Sequence, residues 1–449
     1  MNKRLWTYAF LAALASGGVT AQTSNAWSLQ DCIDYALQHN ITLKKSQASV
    51  QTADINVKQA KAGLLPSLNA SVSQNLTYRP FQDTGGNFVN GGITSSSSDK
   101  ATQSGSYGVN ASWTVWNGRQ TRMNIQDSEL SKQSAELETE TSANSIQEQI
   151  TQLYVQILYM QEAVKVNEKL LEQDSIVYAR GEEMVKQGQM SRADLAQLAA
   201  QVSSGRYDVV DVQTQIENYK TQLKQLLEIE NEDDIDIADV PVSDEQVLAL
   251  IPSKASVYAA ALEHRPEIKS SQLAIEQSQL ATKIAKAAYQ PTVSLTAGLG
   301  DSHMTGSQTD FFSQMKTNFN ATVGLSVSIP ILDNRQTKSS VEKAQVQEVT
   351  SQLDLLDAKK ELYTSVETYY INAVNNQEKF IAAKDNVESV QASYDLLQEQ
   401  FNLGLKNIAD LLTSRSSLLS AKQSMLQDKY TTVLNRTLLD FYANGTISL

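Results

Sequence analysis

Residues 66–73, PSLNASVS, replace a helix-forming pattern with an alternation of apolar and polar side chains. Leu68, Ala70 and Val72 share one face and polar residues share the other, which is typical of a two-faced β-strand. Three further runs alternate in the same way, and each has about ten residues, the length with which a tilted strand crosses a bilayer. Their apolar members are Tyr107, Val109, Ala111, Trp113 and Val115; Val293, Leu295, Ala297 and Leu299; and Phe319, Ala321, Val323, Leu325, Val327, Ile329 and Ile331.

A helical pattern occupies about 65 residues after each pair of strands, long enough for a helix of close to 100 Å. Gly188 and Gly404 end these two patterns, and each helix then resumes for about 40 residues. Within both patterns apolar side chains recur every seven residues, which predicts coiled-coil packing. The two seams are Ile150, Ile157, Val164, Leu171 and Tyr178, and Val366, Ala373, Phe380, Val387 and Tyr394.

The chain is a duplication of one unit of roughly 200 residues. An offset of 225 positions matches Pro66 to Pro291, whereas an offset of 216 matches Gly188 to Gly404, so the first copy has additional residues between these points. We expect a first repeat over residues 22–240, with a β-hairpin at about 66–116 and a helical tip near 188. We expect a second repeat over residues 241–449, with a β-hairpin at about 291–331 and a tip near 404.

Composition and charge exclude several classes of protein. The 449 residues include one cysteine and three histidines, so an intramolecular disulfide and a Cys/His metal cluster are excluded. With 37 Lys and Arg against 50 Asp and Glu, the net charge of -13 argues against general nucleic-acid binding. No catalytic triad or phosphate-binding loop is visible, so the sequence predicts no enzyme and no cofactor.

The first 21 residues have the pattern of a signal peptide. Lys3 and Arg4 precede an apolar segment from Leu5 to Ala15, and a small-residue cleavage motif ends at Ala21. The apolar segment is too short to be a permanent membrane anchor. We therefore expect an exported mature protein.

Four strands per chain are too few for a closed barrel, and a sheet in lipid cannot leave its edges unpaired. If these strands cross a membrane, several chains must share one barrel, and two, three or four chains give 8, 12 or 16 strands. The attached helices then continue as a hollow bundle, which indicates a conduit. Two alternatives remain open: a trimeric coiled-coil stalk or adhesin of the cell surface, and a soluble helical binding module of the periplasm.

These features resemble the TolC-like outer membrane efflux proteins over nearly all of the mature chain. The resemblance rests on the duplicated helix–hairpin–helix plan, on Pro66 and Pro291 before the strands, and on a glycine turn followed by Ala409-Asp410-Leu411-Leu412. The strand exits are Val115-Trp116-Asn117-Gly118 and Pro330-Ile331-Leu332-Asp333, and Asn334-Arg335 follows the second, where the family usually has glycine.

The resemblance implies a mainly α-helical homotrimer with a shared 12-stranded membrane β-barrel and a 12-helix periplasmic α-tunnel. It implies a passive exit duct of a tripartite efflux pump or type I secretion system, in the outer membrane of a Gram-negative bacterium. The implied partners are a periplasmic adaptor protein and, through it, an inner-membrane transporter; no cofactor and no metal are implied.

The resemblance also implies a gate and a docking surface at the two helical tips. From the residues alone, Asp194 and Asp410 are expected to form capping boxes, and a ring of carboxylates at a narrow opening is expected to select cations. The gate residues are Phe401, Lys406, Asp410, Thr413 and Asp194, and the adaptor-docking residues are Gly188, Gln189, Leu403, Gly404 and Leu405.

Overall fold

The computed structural model describes residues 26–81, 87–89, 92–94, 100–230, 235–305 and 309–448, and the predicted signal peptide, residues 1–21, lies outside them. Ten helices and six strands occupy these described ranges. The helices are α1 (Leu29–His39), α2 (Ile41–Ala62), α3 (Gln120–Lys186), α4 (Arg192–Leu227), α5 (Asp244–Leu248), α6 (Lys254–His264), α7 (Pro266–Ala287), α8 (Phe311–Asn318), α9 (Gln336–Asn402) and α10 (Ile408–Asn444), and the strands are β1 (Ser67–Tyr78), β2 (Asn87–Val89), β3 (Gly92–Thr94), β4 (Ala101–Asn117), β5 (Thr292–Met304) and β6 (Asn320–Ser328).

Helices α3 and α9 dominate the mainly helical fold, with 67 residues each. Neither contains proline, so the backbone hydrogen bonds continue without a break over about 100 Å. The two helices start at Gln120 and Gln336, which are 216 positions apart, whereas α2 and α7 start 225 positions apart. Each half of the chain therefore has its own pair of strands, preceded by two shorter helices and followed by two long ones, while α5 and α8 of the second half have no counterpart among the described helices of the first.

Two left-handed residues precede each long helix. Gly118 and Arg119 have φ of 64° and 67°, and Asn334 and Arg335 have φ of 51° and 67°. Asparagine populates this conformation more readily than other non-glycine residues, because its short polar side chain hydrogen-bonds locally. The turn is therefore kept at the second exit although glycine is absent there.

Four strands form one antiparallel sheet in the order β1-β4-β5-β6, so β1 and β6 are its edges. Strand β4 contains a register shift between Thr114 and Trp116. The prediction that the fourth alternating run extends to Ile331 is wrong, because β6 ends at Ser328. Pro330 explains the end of the strand, since proline has no N–H to donate and restricts the residue before it.

The sheet has one apolar and one polar face. Side chains on the apolar face, such as Leu68 and Leu325, are exposed to solvent in the single chain. Over the part of the sheet next to the helices, the register opposes apolar residues with apolar residues and keeps the faces separate; farther out, Tyr107 lies opposite Asp301. The apolar face carries Leu68, Ala70, Val72, Val109, Ala111, Trp113, Val293, Leu295, Ala297, Leu299, Ala321, Val323, Leu325 and Val327, and the polar face carries Ser67, Asn69, Ser71, Ser73, Ser106, Gly108, Asn110, Ser112, Ser294, Thr296, Gly298, Thr322, Gly324 and Ser326.

The helices form a row whose order changes along its length. Near the sheet, α2 packs on α3, α3 on α7, and α7 on α9; toward the far end, α4 packs on α3, α3 on α10, and α10 on α9. Among the described helices, none is long and apolar enough to cross a membrane. Two buried cores hold the row together, a larger one around Ile150, Tyr154 and Phe380 and a smaller one around Tyr394 and Leu418.

The predicted seam of α9 is confirmed. Val366, Ala373, Phe380 and Tyr394 are buried and Val387 is half-buried, which is the seven-residue spacing of a coiled-coil contact.

Beyond Ile157 the predicted seam of α3 lies at the border of the buried face, where Val164 and Tyr178 still pack against the two cores. Val164, Leu171 and Tyr178 are only half-buried. The partners of α3 change from α2 and α7 to α4 and α10 along its length, so its buried face moves by one position. In the lower half the buried residues are Ala163, Asn167, Leu170, Asp174, Val177 and Gly181.

Candidate functional site

The predicted site residues lie in or beside two helical turns, which we call tip 1 (residues 187–191, between α3 and α4) and tip 2 (residues 403–407, between α9 and α10). Gly188 has φ of 71° and Gly404 has φ of 74°. The N–H of the residue after each glycine donates to a carbonyl five residues earlier, Gln189 to Met184 at 2.8 Å and Leu405 to Gln400 at 2.8 Å. Both tips therefore end a long helix with a Schellman motif.

Conformation, and not packing within the chain, accounts for the two glycines. A Cβ at Gly188 or Gly404 would meet no atom within 4 Å, so there is room for a side chain. A side chain would still be strained, because the left-handed conformation costs an L-residue roughly 1–2 kcal/mol. Anything that approaches these positions closely must come from outside the chain.

The two tips differ in polarity. At tip 2, the side chains of Leu403 and Leu405 flank the glycine and are 74% and 72% exposed. At tip 1, Gln187 and Gln189 occupy the equivalent positions and are also exposed. Tip 2 thus presents an apolar surface where tip 1 presents two amides.

Asp194 and Asp410 lie in the first turns of α4 and α10. The N–H of Asp194 donates to Ser191 Oγ at 3.0 Å, and the N–H of Asp410 donates to Asn407 Oδ1 at 2.9 Å. These are N-cap hydrogen bonds, each of which satisfies one free donor at a helix start. Within the described chain, the reciprocal bond of a capping box is present at Ser28 but not at these two tips.

The other predicted gate residues have different environments. Lys406 Nζ lies 3.7 Å from Asp410 Oδ2, and the two side chains are 45% and 43% exposed. An exposed ion pair at this distance contributes at most about 1 kcal/mol. Phe401 is buried and continues the seam of α9 seven residues after Tyr394, whereas Thr413 is exposed. The structure therefore brings Lys406 and Asp410 together, while Phe401 lies in the helix packing.

A buried ion pair near the tips is absent from the sequence predictions. Arg415 Nη2 of α10 lies 2.9 Å from Asp174 Oδ2 of α3, and both side chains are only 6% exposed. Oriented with its oxygen toward Arg415, the amide of Gln201 of α4 accepts from Nε at 3.2 Å and Nη1 at 3.1 Å. The sequence contains one signal for this pair, a charged residue within the heptad pattern, since Asp174 lies three residues after Leu171.

Burial governs the protonation of this cluster. Desolvation raises the pKa of the Asp174 carboxyl above its ordinary value, although the Arg415 guanidinium opposes the shift. Burial also raises the pKa of the Tyr394 phenol to about 12, and the charge of Asp174 adds to that shift. As for metal ligands, no group of three or more His, Cys, Asp or Glu side chains that could hold an ion occurs in the described ranges.

Comparison with known proteins adds independent evidence. TolC of Salmonella enteritidis is 26% identical over 192 residues, and the match spans 40% of this chain and 39% of TolC. This chain therefore matches only about two fifths of the length of that relative. The pyoverdine export outer membrane protein OpmQ of Pseudomonas aeruginosa is 22% identical over 435 residues, or 94% of this chain and 86% of OpmQ.

The structural match covers nearly the whole fold. The crystal structure of the outer membrane protein VceC from Vibrio cholerae superposes with a TM-score of 0.73 at 15% identity, covering 92% of this chain and 94% of VceC. A family model described as outer membrane efflux protein matches residues 32–228 and 257–445, one segment in each half of the duplication. With most of both halves matched, the chain belongs to the outer membrane efflux protein family.

Proposed function

We propose that this protein is the outer membrane channel of a tripartite efflux pump or type I secretion system. In this proposal three copies share a 12-stranded barrel and a 12-helix periplasmic tunnel, and the assembly is a passive exit duct. The observation that carries the proposal is the open four-stranded sheet, apolar and exposed on one face and polar on the other, at the end of helices about 100 Å long.

The sheet is suited to a shared barrel. Among the described residues, no protein layer covers Leu68, Val72 and Val323 of its apolar face, so lipid is the medium that would cover them at least cost. The backbone groups along the outer edges of β1 and β6 need partners in lipid, and β6 of one copy can pair with β1 of the next. Serine, threonine, asparagine and glycine on the other face are small enough to line an open, water-filled interior.

The helices continue the same two edges. Helix α2 leads into β1 and α9 follows β6, and these two helices are also the outer members of the row near the sheet. Exposed apolar side chains recur on α9 with the spacing of an unpaired coiled-coil seam, at Val346, Val349, Leu353 and Leu356. On α2, small or apolar side chains are exposed every seven residues, at Ile41, Ala48, Ile55 and Ala62.

The two exposed stripes lie at the same level. Ile55 is seven residues from the sheet-side end of α2, and Val346 is ten residues from the sheet-side end of α9, or about 10 and 15 Å. If the α2 edge of one copy meets the α9 edge of the next, the interface is head-to-tail. Such interfaces close a ring when the rotation from one copy to the next is a whole fraction of a full turn. Three copies is the number that the family resemblance implies.

The tips supply the proposed gate and docking surface. We assign closure to Lys406, Asp410, Asp194, Thr413 and Phe401, with exposed polar groups at the opening and Phe401 fixing the helix packing. We assign adaptor docking to Gly188, Gln189, Leu403, Gly404 and Leu405, because no chain atom approaches the glycines and the two leucines are exposed. An inner-membrane transporter would supply the energy through the adaptor.

The channel is tested by a matched pair of variants in β1. Val72 lies on the apolar face and its neighbour Ser71 on the polar face, so Val72→Lys places a charge toward lipid and Ser71→Lys places it in the lumen. A lysine on the lipid face costs about 2–4 kcal/mol near the midplane. We expect Val72→Lys to reduce the amount of assembled protein in outer membranes, and Ser71→Lys to assemble normally with reduced cation selectivity in planar bilayers.

The unmodified protein gives the primary result. It should require detergent for extraction, contain three copies by native mass spectrometry, and conduct in planar bilayers. Release by osmotic shock would instead support a soluble binding module. A stable trimer without conductance would support the stalk, and equal effects of the two lysine variants would contradict the assignment of the faces.

Docking is tested with a glycine control that the chain itself provides. Gly445 ends α10 with φ of 72° and, like Gly404, has no atom within 4 Å of a Cβ position. Valine at either site meets the same backbone strain, so a difference between the variants reports on an outside partner. We expect Gly404→Val to abolish cross-linking to the adaptor and Gly445→Val to retain it, with both trimers intact; equal cross-linking would contradict docking at tip 2.

A further inference from the structure

The two long helical pairs of one chain are joined by a buried polar contact. We call α3 and α4 hairpin 1, and α9 and α10 hairpin 2. Asp174 of hairpin 1 and Arg415 of hairpin 2 form the 2.9 Å ion pair described above. Asp174 lies twelve residues before the end of α3, so the contact is roughly 18 Å from tip 1 and separate from the exposed pair of Lys406 and Asp410.

Hairpin 1 is shaped to accommodate this contact. A Cβ at Gly205 of α4 would lie 3.6 Å from Asp174 Oδ2 and 3.7 Å from Arg415 Nη2, so a larger residue there would crowd the ion pair. The Gln201 amide lies one helical turn before Gly205 on α4 and contacts the same guanidinium. Both helices of hairpin 1 therefore hold the arginine that hairpin 2 supplies.

The pair is buried beside the smaller core, which contains residues from all four long helices. Besides the Gln201 amide, the polar group whose charge acts on Asp174 is Asp208 of α4. Removing water from both ions costs several kcal/mol, which the attraction between them does not fully repay in many proteins. The members of this core are Leu170, Val177, Leu198, Tyr394, Phe401, Ile408, Leu411 and Leu418.

A second buried polar group lies on α3 seven residues before Asp174. Asn167 of α3 is 2% exposed, and neither atom of its side-chain amide has a hydrogen-bond partner within the described residues. Buried polar groups at seam positions fix the register of packed helices and reduce the stability of the contact. The interface between the hairpins is thus specific but weaker than an apolar seam of the same size.

We propose that Asp174 and Arg415 form an internal catch that holds hairpin 2 against hairpin 1 and that must break when the tips part. This proposal rests on the proposed gating at the tips. The geometry predicts two opposite effects. Loss of one partner leaves a buried unpaired charge and favours separation, whereas replacement of both partners by apolar residues strengthens the contact and opposes it.

The experiment measures the separation of the tips in the full-length, detergent-purified protein. Spin labels on Gln187→Cys and Leu405→Cys report the distance between the hairpins by pulsed electron resonance. Cys32 is fully buried and stays unlabelled. Mixing labelled with excess unlabelled copies restricts the measurement to one chain, and single-channel recording gives the rate of opening.

Three variants are compared with the unmodified protein. Arg415→Gln is expected to raise the population with parted tips at least tenfold, and Asp174→Leu combined with Arg415→Met is expected to lower the opening rate about tenfold. Lys186→Gln combined with Glu183→Gln is the control at an exposed ion pair of hairpin 1 that belongs to neither the gate nor the docking surface, with less than a threefold change in both readouts. Circular dichroism checks that each variant has kept its helices.

The proposal is overturned if Arg415→Gln leaves the distances unchanged, if the apolar pair opens as readily as the unmodified protein, or if the control pair has the larger effect. The distance measurement does not depend on conductance. If the unmodified protein fails to conduct, the proposed function fails, while the distances still decide whether the buried pair holds the hairpins together.

Discussion

The apolar stripe on the outer side of α9 predicts that two substitutions will separate the copies. Leu353 and Leu356 are 56% and 53% exposed in the single chain, so an interface with the next copy has about half of each side chain left to bury. Full burial of a leucine contributes about 1.5–3 kcal/mol, so the remaining half contributes about 1 kcal/mol for each. Replacing both with lysine removes about 2 kcal/mol per interface and places two ammonium groups against an apolar face.

The cost of burying the two ammonium groups is partly avoided, because a lysine side chain can direct its charge to water along the edge of the contact. We therefore expect a total loss of about 2–4 kcal/mol per interface, or roughly 30- to 1,000-fold in the association constant. The assay is native mass spectrometry of the detergent-purified protein, with unheated gel electrophoresis as a second measure. The matched control is Leu353→Met with Leu356→Met, which keeps apolar volume and should retain the oligomer. A lysine variant that remains as stable an oligomer as this control would refute the assignment of α9 as an edge.

Three further outcomes follow from the contacts. Phe380 is 1% exposed, so Phe380→Ala should cost about 3–5 kcal/mol and lower the thermal midpoint by circular dichroism; an unchanged midpoint would contradict its place in the core. A Cβ at Gly105 would overlap the ring of His303 and lie 2.5 Å from Gln74 Nε2, so Gly105→Ala should destabilise the sheet by about 1–3 kcal/mol, and His303→Ala combined with Gln74→Ala should relieve the defect in heat-dissociation gels. Lys58 of α2 and Lys132 of α3 lower the pKa of Asp54 to about 2. The contact of α2 with α3 through Lys132 should therefore weaken as the pH falls from about 4 to 2, and the loss should be larger at low salt. Hydrogen exchange of α2 that does not respond to this pH change would contradict the contact.

The sheet and the α9 seam could be predicted because their patterns follow from local periodicity. Alternation at Leu68, Ala70 and Val72 defines a two-faced strand whatever its partner is, since successive side chains point to opposite sides. The spacing of Val366, Ala373 and Phe380 likewise defines one helix face. Those predictions needed only the geometry of a strand or a helix.

The buried face of α3 could not be predicted in the same way, because it depends on which helices lie beside it. The pattern through Leu171 and Tyr178 is as regular as the one through Leu170 and Val177, and only the packing on α10 selects the second. No role was predicted for Asp174 for that reason. A charged side chain is assumed to be solvated as long as its partner is unknown. The partner of Asp174 is Arg415, more than 200 positions away.

The outer stripe of α9 was missed for a related reason. Val346 and Leu353 precede the predicted seam of α9, which begins at Val366. A helix within a row of helices packs on two neighbours and therefore has two apolar faces. The second face becomes visible only when the neighbours within one chain have been identified and side chains remain exposed. At Asn334 the sequence differs from the family pattern, but the structure does not differ: Asn334 has a positive φ, as Gly118 has in the first half of the chain.

The unlike edges of the chain, α2 with β1 on one side and α9 with β6 on the other, have a genetic consequence. A copy with lysines on α9 and an unaltered α2 can still bind α9 of an unaltered copy through its α2. Its own α9, however, no longer binds α2 of another copy. In the proposed ring of three copies, such an allele is expected to be dominant, because one altered copy leaves the ring open although two unaltered copies have already joined it.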